Sequence, residues 1–196
     1  MRYNPVTAIC AITEDSRLNT AQTIDQFLSA IEKRAYRMAV IATSNRDDAL
    51  EIVQEAMIKL VTRYGNKDAE HWGPLFHRIL QSTIRDWYRR SKVRNGLRHF
   101  FFGNTDEKEN DPMDEFADPA QTEPDQQLKE QQAMQALDAA LHNLPLRQQQ
   151  AFLLRQWEGL DVKQTAAAMD CSTGSVKTHY SRAIAALRNQ LEDHWP

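Results

Sequence analysis

The sequence lacks the features that several protein classes require. Only two of its 196 residues are cysteines, Cys10 and Cys171, and they form no metal-ligand spacing. No apolar run approaches the length of a membrane-spanning helix, and no basic stretch followed by a long apolar one begins the chain. These absences argue against a structural metal site, membrane insertion and a secretory signal. We expect a reduced, cytoplasmic protein.

Residue patterns for catalysis are also missing. The sequence contains no glycine-rich phosphate loop, no His-Glu-x-x-His and no Gly-x-Ser-x-Gly, and its six histidines stand at no ligand spacing. Glu51 and Glu55 are paired carboxylates on one predicted helix, and solvation or contact with a partner explains them better than acid–base chemistry. We therefore predict a protein that is not an enzyme, with no catalytic residues, no cofactor and no metal ligands.

What the sequence does contain is helical periodicity. Glycine is scarce, with six residues in all, and few segments alternate cleanly between apolar and polar side chains, so we predict an all-α fold. The apolar face of the first predicted helix begins at Ile24. The second predicted helix is capped by Asp47 or Asp48 and stops at Gly65. Pro74 is expected in the first turn of a third helix.

Charge divides the chain into parts. Residues 1–100 carry 16 lysines and arginines against 11 acids, residues 101–130 carry 2 against 10, and residues 131–196 carry 6 against 6. The net charge of −3 therefore hides a basic N-terminal half. We predict an N-terminal arm (1–22), a helical domain (23–99), an acidic flexible linker (100–127) and a second helical domain (128–196).

The third predicted helix has an unusual outer face. On this face, polar and basic residues recur at helical spacing, with almost no acidic residue to balance their charge. They form a stripe of Arg78, Ser82, Arg85, Arg89 and Lys92, with Arg90 beside it. Most charged helix faces are only solvated, but a solvated face normally mixes both signs. The stripe therefore predicts contact with a polyanion.

The second domain ends in a predicted helix-turn-helix. Before it, one helix is lined by Met134, Leu137, Leu141 and Leu144, and the next opens at Pro145 and ends at Gly159. Asp161 with Gln164 forms a capping pattern, and Ser172 is a suitable N-cap for the last helix. That helix places Thr178, Ser181 and Arg182 opposite its apolar face, with Lys177 at the flank. This geometry fits a major groove, although small bundles without DNA contacts also contain such turns.

The order of these features resembles a bacterial RNA polymerase sigma factor of the sigma-70 family, extracytoplasmic-function class. Three segments carry the resemblance: Ala49–Glu55, Arg78–Arg90, and Leu144–Pro145 with Gly174–Lys177, Arg182–Ala183 and Leu187–Arg188. It covers about residues 24–95 and 130–191. The family keeps sigma domains 2 and 4, joined by a linker that enters the polymerase. The resemblance implies a factor that binds core RNA polymerase and promoter DNA, with an anti-sigma factor as a further partner.

The resemblance also implies roles for residues. The polymerase-binding set is Glu51, Gln54, Glu55 and Lys59. The set for the −10 element is Trp72, Arg78, Ser82, Arg85, Arg89 and Arg90. The set for the −35 element is Thr173, Ser175, Lys177, Thr178, Ser181 and Arg182, with backbone N–H groups near Thr173 to Ser175 holding a phosphate.

Two other classes of function fit part of the sequence. A free-standing helix-turn-helix regulator that binds operator DNA explains residues 128–191 equally well, but it gives the basic stripe and the acidic linker no role. A helical adaptor without DNA contacts leaves the outward side chains from Lys177 to Arg182 unexplained. Promoter-specific transcription with core polymerase distinguishes the three.

Overall fold

The computed structural model describes the backbone of residues 23–102 and 124–191, and the side chains of residues 23–92 and 132–191. The regular structure within these ranges is entirely helical, which confirms the predicted all-α class. The N-terminal unit holds α1 (Ile24–Thr43), α2 (Arg46–Tyr64) and α3 (Ala69–Phe102), and the C-terminal unit holds α4 (Pro124–His142), α5 (Leu146–Phe152), a π-helical segment (Leu153–Trp157), α6 (Val162–Met169) and α7 (Thr173–Gln190).

The N-terminal unit is built from three helices that pack on one another through their apolar faces. Thr23 caps α1, since its hydroxyl accepts from the Gln26 backbone N–H while the Gln26 side chain accepts from the Thr23 N–H. The fully buried side chains of this unit include Met38, Ile41, Leu60, Phe76, Leu80 and Ile84. These residues recur at helical spacing, so the packing follows from the periodicity of the sequence.

The start of α2 differs from the prediction. We expected Asp47 or Asp48 as the N-cap, but the cap is Asn45, whose side chain accepts from the Asp48 backbone N–H at 2.9 Å. Ser44, just before it, has a left-handed backbone conformation with φ 55°. The chain changes direction at Ser44, so that Asn45 becomes the N-cap of α2. The two aspartates instead lie in the first turn, where their charge favours the positive end of the helix dipole.

The start of α3 was also predicted wrongly. The helix begins at Ala69, so Pro74 lies inside it rather than in its first turn. The turn before α3 is closed by backbone bonds from Lys67 N–H to Tyr64 O and from His71 N–H to Asp68 O. The preference of proline for a first turn is strong but not exclusive, and at this position Pro74 cannot donate a backbone hydrogen bond to Glu70 O.

The segment between the units lies largely outside the described residues. Helix α3 continues to Phe102 and α4 begins at Pro124, so both helices enter the range 100–127 that we predicted as the linker. The predicted acidic segment 103–123 and the predicted arm 1–22 fall outside the described residues.

The C-terminal unit has a small core beneath its last two helices. Ala151, Leu154, Ala166, Ala168, Met169 and Val176 form a buried cluster, with Leu160, Val162, Cys171 and Tyr180 packed against it. Leu141 and Leu144 are buried as predicted, but Met134, which we also placed on that apolar face, is 44% exposed. Met134 stands two turns before Leu141, nearer to the start of α4.

A π-helical segment interrupts the helix that starts with α5. Residues Leu153–Trp157 follow α5 directly, and Gly159 ends the run with a positive φ of 66°. Periodicity in the sequence predicted a continuous helix up to Gly159. A single π-turn shifts the following side chains around the helix axis, and such turns are frequently found at functional positions.

Candidate nucleic-acid interfaces

The turn between α6 and α7 is fixed at both ends by hydrogen bonds. The capping pattern is confirmed: Asp161 accepts from the Gln164 N–H at 2.8 Å, and the Gln164 side chain accepts from the Asp161 N–H at 2.8 Å. Asp170 then takes a left-handed conformation, with φ 53° and ψ 57°. Ser172 caps α7 by accepting from the Ser175 N–H at 3.1 Å. These caps set the direction in which α7 leaves the turn.

The outer face of α7 holds the side chains that were predicted for the −35 element. Val176, Ala183 and Leu187 are buried on the inner side. Thr173, Lys177, Thr178, Ser181 and Arg182 are exposed, and Ser175 is half-buried. The Ser175 and Ser172 hydroxyls lie 2.9 Å apart, and the Thr178 hydroxyl donates to Gly174 O at 3.1 Å. The helix therefore presents two cations and four hydroxyls on a rigid surface, with some of the hydroxyls already engaged within the helix.

A group of rings holds α7 against the preceding segment. The ring of Phe152 stacks on Tyr180 with the centroids 6.5 Å apart and the planes at 17°. The Arg155 guanidinium lies over the same Tyr180 ring at 5.8 Å and also donates to Leu160 O. Tyr180 packs against the buried cluster of this unit. Arg155 lies in the π-helical segment, which places its side chain over this ring. Regular helical spacing in the sequence did not predict this contact.

The basic stripe of α3 is an exposed surface along part of its length. Arg78, Arg89 and Arg90 are exposed, while Ser82 and Arg85 are half-buried. Arg89 forms an ion pair with Asp86, the one acid that the sequence placed nearby. The Lys92 ammonium lies 5.1 Å from the centre of the Tyr88 ring. The stripe thus combines cations with an aromatic side chain, which is a composition suited to single-stranded nucleic acid.

Trp72 does not lie on that surface. Its side chain is 6% exposed, its indole N–H donates to Tyr64 O at 3.2 Å, and its ring centre is 6.0 Å from that of Phe27. In this structure the indole closes the core between α1 and α3, so the contact of Trp72 with the −10 element stays a prediction that the geometry does not support. A tryptophan near the start of a helix fits either role in the sequence.

The outer face of α2 carries the predicted polymerase-binding set. Glu51, Gln54 and Glu55 are exposed, and Lys59 is half-buried and pairs with Glu55 at 2.6 Å. The structure adds three exposed apolar side chains on the same helix: Leu50 at 48%, Ile58 at 62% and Val61 at 43%. At 100° per residue, Ile58 lies opposite the buried line of α2 and close to Gln54. The helical periodicity of this segment in the sequence did not single out Ile58.

Comparison with known proteins identifies the family. The family model for sigma-70, region 4, matches residues 134–187, which contain α6 and most of α7. The chain is 26% identical over 146 residues to the RNA polymerase sigma-E factor of Streptomyces avermitilis, covering 74% of this chain and 72% of that protein. It is 27% identical over 171 residues to the ECF RNA polymerase sigma factor SigE of Mycolicibacterium smegmatis, covering 87% and 62%. The chain is similar to sigma factors of the sigma-70 family, extracytoplasmic-function class, along most of its length.

A solved structure agrees with this assignment at the level of the fold. The sigma factor RpoE of Bartonella quintana, crystallised with the anti-sigma factor NepR, superposes with a TM-score of 0.59 at 22% identity, covering 87% of this chain and 97% of that one. None of the described helices of this sigma factor is long and apolar enough to cross a membrane. The family model places the buried line and the outward face of α7 within region 4.

One small group of potential metal ligands occurs among the described residues. Asp68, Glu70 and His71 are all exposed at the start of α3, with their ligand atoms within 4.8 Å of one another. Exposed acidic groups commonly lie this close without a metal ion, and no buried polar atom or further ligand points to this position. We assign no metal site to this sigma factor from it.

Proposed function

We propose that this sigma factor binds core RNA polymerase, directs it to specific promoters and helps to open the −10 region, using three separate surfaces. The observation that carries the proposal is the match of region 4 to residues 134–187, where α7 turns its hydroxyls and cations outward. A helix of this kind, held at its N-terminus by a tight turn, suits the major groove of duplex DNA. We assign the −35 element to α7.

The α3 stripe is the proposed surface for the opened −10 strand. Single strands are bound by basic grooves that follow the phosphates and by aromatic rings on which bases stack. Arg78, Arg85, Arg89 and Arg90 supply the charge, Ser82 supplies a hydroxyl, and Tyr88 with Lys92 supplies a ring beside a cation. Trp72 is left out of this surface because it is buried.

The outer face of α2 is the proposed polymerase surface. Leu50, Ile58 and Val61 are exposed among Glu51, Gln54 and Glu55. Exposed apolar side chains beside acidic ones are suited to a protein interface, in which buried apolar contacts contribute affinity and charges contribute orientation and rate. We infer a basic partner surface with an apolar centre.

One experiment tests the proposed function as a whole. Purified full-length protein is added to core RNA polymerase with a pool of genomic promoter fragments, and run-off transcripts are sequenced. We expect transcription from a restricted set of promoters that share a −35 and a −10 sequence. The matched control is a double variant, Lys177→Ala with Arg182→Ala, which should retain polymerase binding and lose promoter selection. Transcripts that do not depend on the added protein would favour a free-standing regulator that binds operators.

A further inference from the structure

Arg147 links the start of α5 to the end of α6. Its guanidinium donates to Met169 O at 2.7 Å, across 22 residues of sequence. Met169 is the last residue of α6, so the bond holds this cation beside the turn that leads into α7. A guanidinium offers five N–H donors in a plane, and this one bond leaves most of them for another acceptor.

His179 faces the same region from α7. Its side chain is half-buried, and partial burial first, then the charges of Arg147 and Arg182, lower its pKa from the usual 6.5. Arg147 and Arg182 are therefore close enough to His179 to disfavour its protonated form in the free protein, in addition to the effect of its partial burial. Among the described residues, the other charged or titratable side chains on the segments that contact α7, and at their ends, include Asp138, His142, Arg155, Glu158, Asp161, Lys163 and Asp170.

The position of His179 on α7 is at the edge of the outward face. At 100° per residue, it lies between the buried line through Ala183 and the exposed Arg182. Lys177 lies on the opposite flank of the helix. When a recognition helix occupies the major groove, its outward face meets the base edges and its flanks meet the sugar–phosphate strands. With α7 in the groove, the flank that carries His179 would lie beside a phosphate strand, on the side of the turn that Arg147 contacts.

We propose that Arg147 and His179 together hold one phosphate of the −35 duplex, and that His179 takes up a proton when this phosphate binds. The proposal rests on the proposed function, since it places α7 in the groove. The phosphate places a negative charge beside the three basic groups Arg147, His179 and Arg182. A protonated imidazole donates from both ring nitrogens, and Arg147 donates to a second phosphate oxygen. Arg182 remains directed at the bases.

The direct test follows the protonation of His179 by NMR. Histidine-labelled full-length protein is titrated from about pH 5 to about pH 8, alone and with a mixed-sequence DNA duplex two helical turns long. We expect the pKa of His179 to lie below its ordinary value in the free protein and to rise in the complex. Affinity should then fall as pH rises between the two values, by up to about tenfold per pH unit for one proton. An unchanged or lowered pKa in the complex would overturn the proposal.

Matched variants test each partner separately. His179→Gln should remove that pH dependence of duplex binding. Arg147→Gln should reduce the magnitude of the log–log salt slope by about 0.9, the amount expected for one lost phosphate contact. Arg188→Gln removes a cation from the other side of α7, nine residues after His179, and should leave the slope unchanged. Equal slopes for wild type and Arg147→Gln, or equal losses for the Arg147 and Arg188 variants, would contradict the proposal.

Two features of the design keep the outcome interpretable. Because Arg147 also bonds Met169 O, its replacement could loosen the turn, so helix content is measured by circular dichroism. If the Arg147 variant does not fold, the His179 titration and the His179→Gln variant still test whether His179 takes up a proton when the duplex binds. The duplex experiments need no polymerase, so a raised pKa in a protein that directs no transcription would refute the proposed function alone. Transcription with an unchanged pKa would refute only this inference.

Discussion

Arg155 lies over the ring of Tyr180, with its guanidinium carbon 5.8 Å from the ring centre. Tyr180 is on α7, and Phe152 stacks against it at 6.5 Å. This contact joins the π-helical turn to the helix that we propose reads DNA, so the outward face of α7 is oriented by a residue that never reaches the groove. Arg155 also donates to Leu160 O, which fixes the loop before α6.

Replacing Arg155 should therefore destabilise the C-terminal unit. Arg155→Ala removes the cation–ring contact and the bond to the carbonyl, and we expect the free energy of unfolding to fall by about 1–3 kcal/mol. Hydrogen exchange of the α7 amides measures this for the C-terminal unit alone. Lys163→Ala, at an exposed position on α6, is the control and should change little. Equal protection in the Arg155 variant would mean that the ring contact is incidental.

The N-terminal unit should lose stability as the pH falls, because of His77. This side chain is 4% exposed, and burial first, then Arg34, lowers its pKa from 6.5 to about 4. Between those values the unfolded chain binds a proton that the folded chain does not. The free energy of unfolding should thus decrease by about 1.4 kcal/mol for each pH unit below about 6.5. Urea unfolding measured at several pH values across this range gives the free energy of unfolding as a function of pH. This free energy should fall less steeply with decreasing pH for His77→Gln than for wild type. Parallel slopes would rule His77 out as the cause.

Arg182→Ala should weaken −35 recognition selectively. Arg182 is exposed on the outward face of α7, opposite Val176 and Leu187. A good base-edge contact discriminates against a wrong base by about 1–3 kcal/mol. Binding to a duplex from a promoter found by run-off transcription should fall, while binding to a scrambled duplex should change much less. Equal losses on both duplexes would assign Arg182 to a phosphate instead.

The sequence predicted the helices well but predicted contacts between them poorly. The capping residues Asp161 and Ser172 act through neighbours three residues away, so local pattern was sufficient to find them. Trp72 and Arg147 are defined by partners 8 and 22 residues away, Tyr64 and Met169. Periodicity carries no information about such pairs. Ile58 was overlooked for a related reason: an apolar residue has the same appearance in the sequence whether its face is covered or free.

Promoter opening should depend on the α3 stripe more than polymerase binding does. Neutralising Arg85 and Arg89 together removes two cations, and each lost single-strand phosphate contact should lower the magnitude of the salt slope by about 0.7. Asp86→Asn is the matched opposite change, because it releases Arg89 from its ion pair and should strengthen binding to single strands. Permanganate footprinting measures opening, and fluorescence titration measures polymerase affinity. Lost affinity with intact opening on preformed bubbles would show that the stripe is a docking surface.

Ile58 should be central to the affinity for core polymerase. It is 62% exposed on the outer face of α2, and solvent exposure of this kind brings the free protein no stability. Ile58→Asp should leave the thermal stability unchanged and weaken polymerase binding at least tenfold, the scale of an interface residue that contributes more than about 1.4 kcal/mol. Glu51→Lys with Glu55→Lys should weaken it further by placing like charges against the basic surface that we infer on the partner. Lys33→Glu, on the exposed side of α1, serves as the charge-reversal control. If Ile58→Asp and both lysine replacements bind polymerase like wild type, α2 does not dock on the polymerase, and its exposed apolar residues belong to another partner.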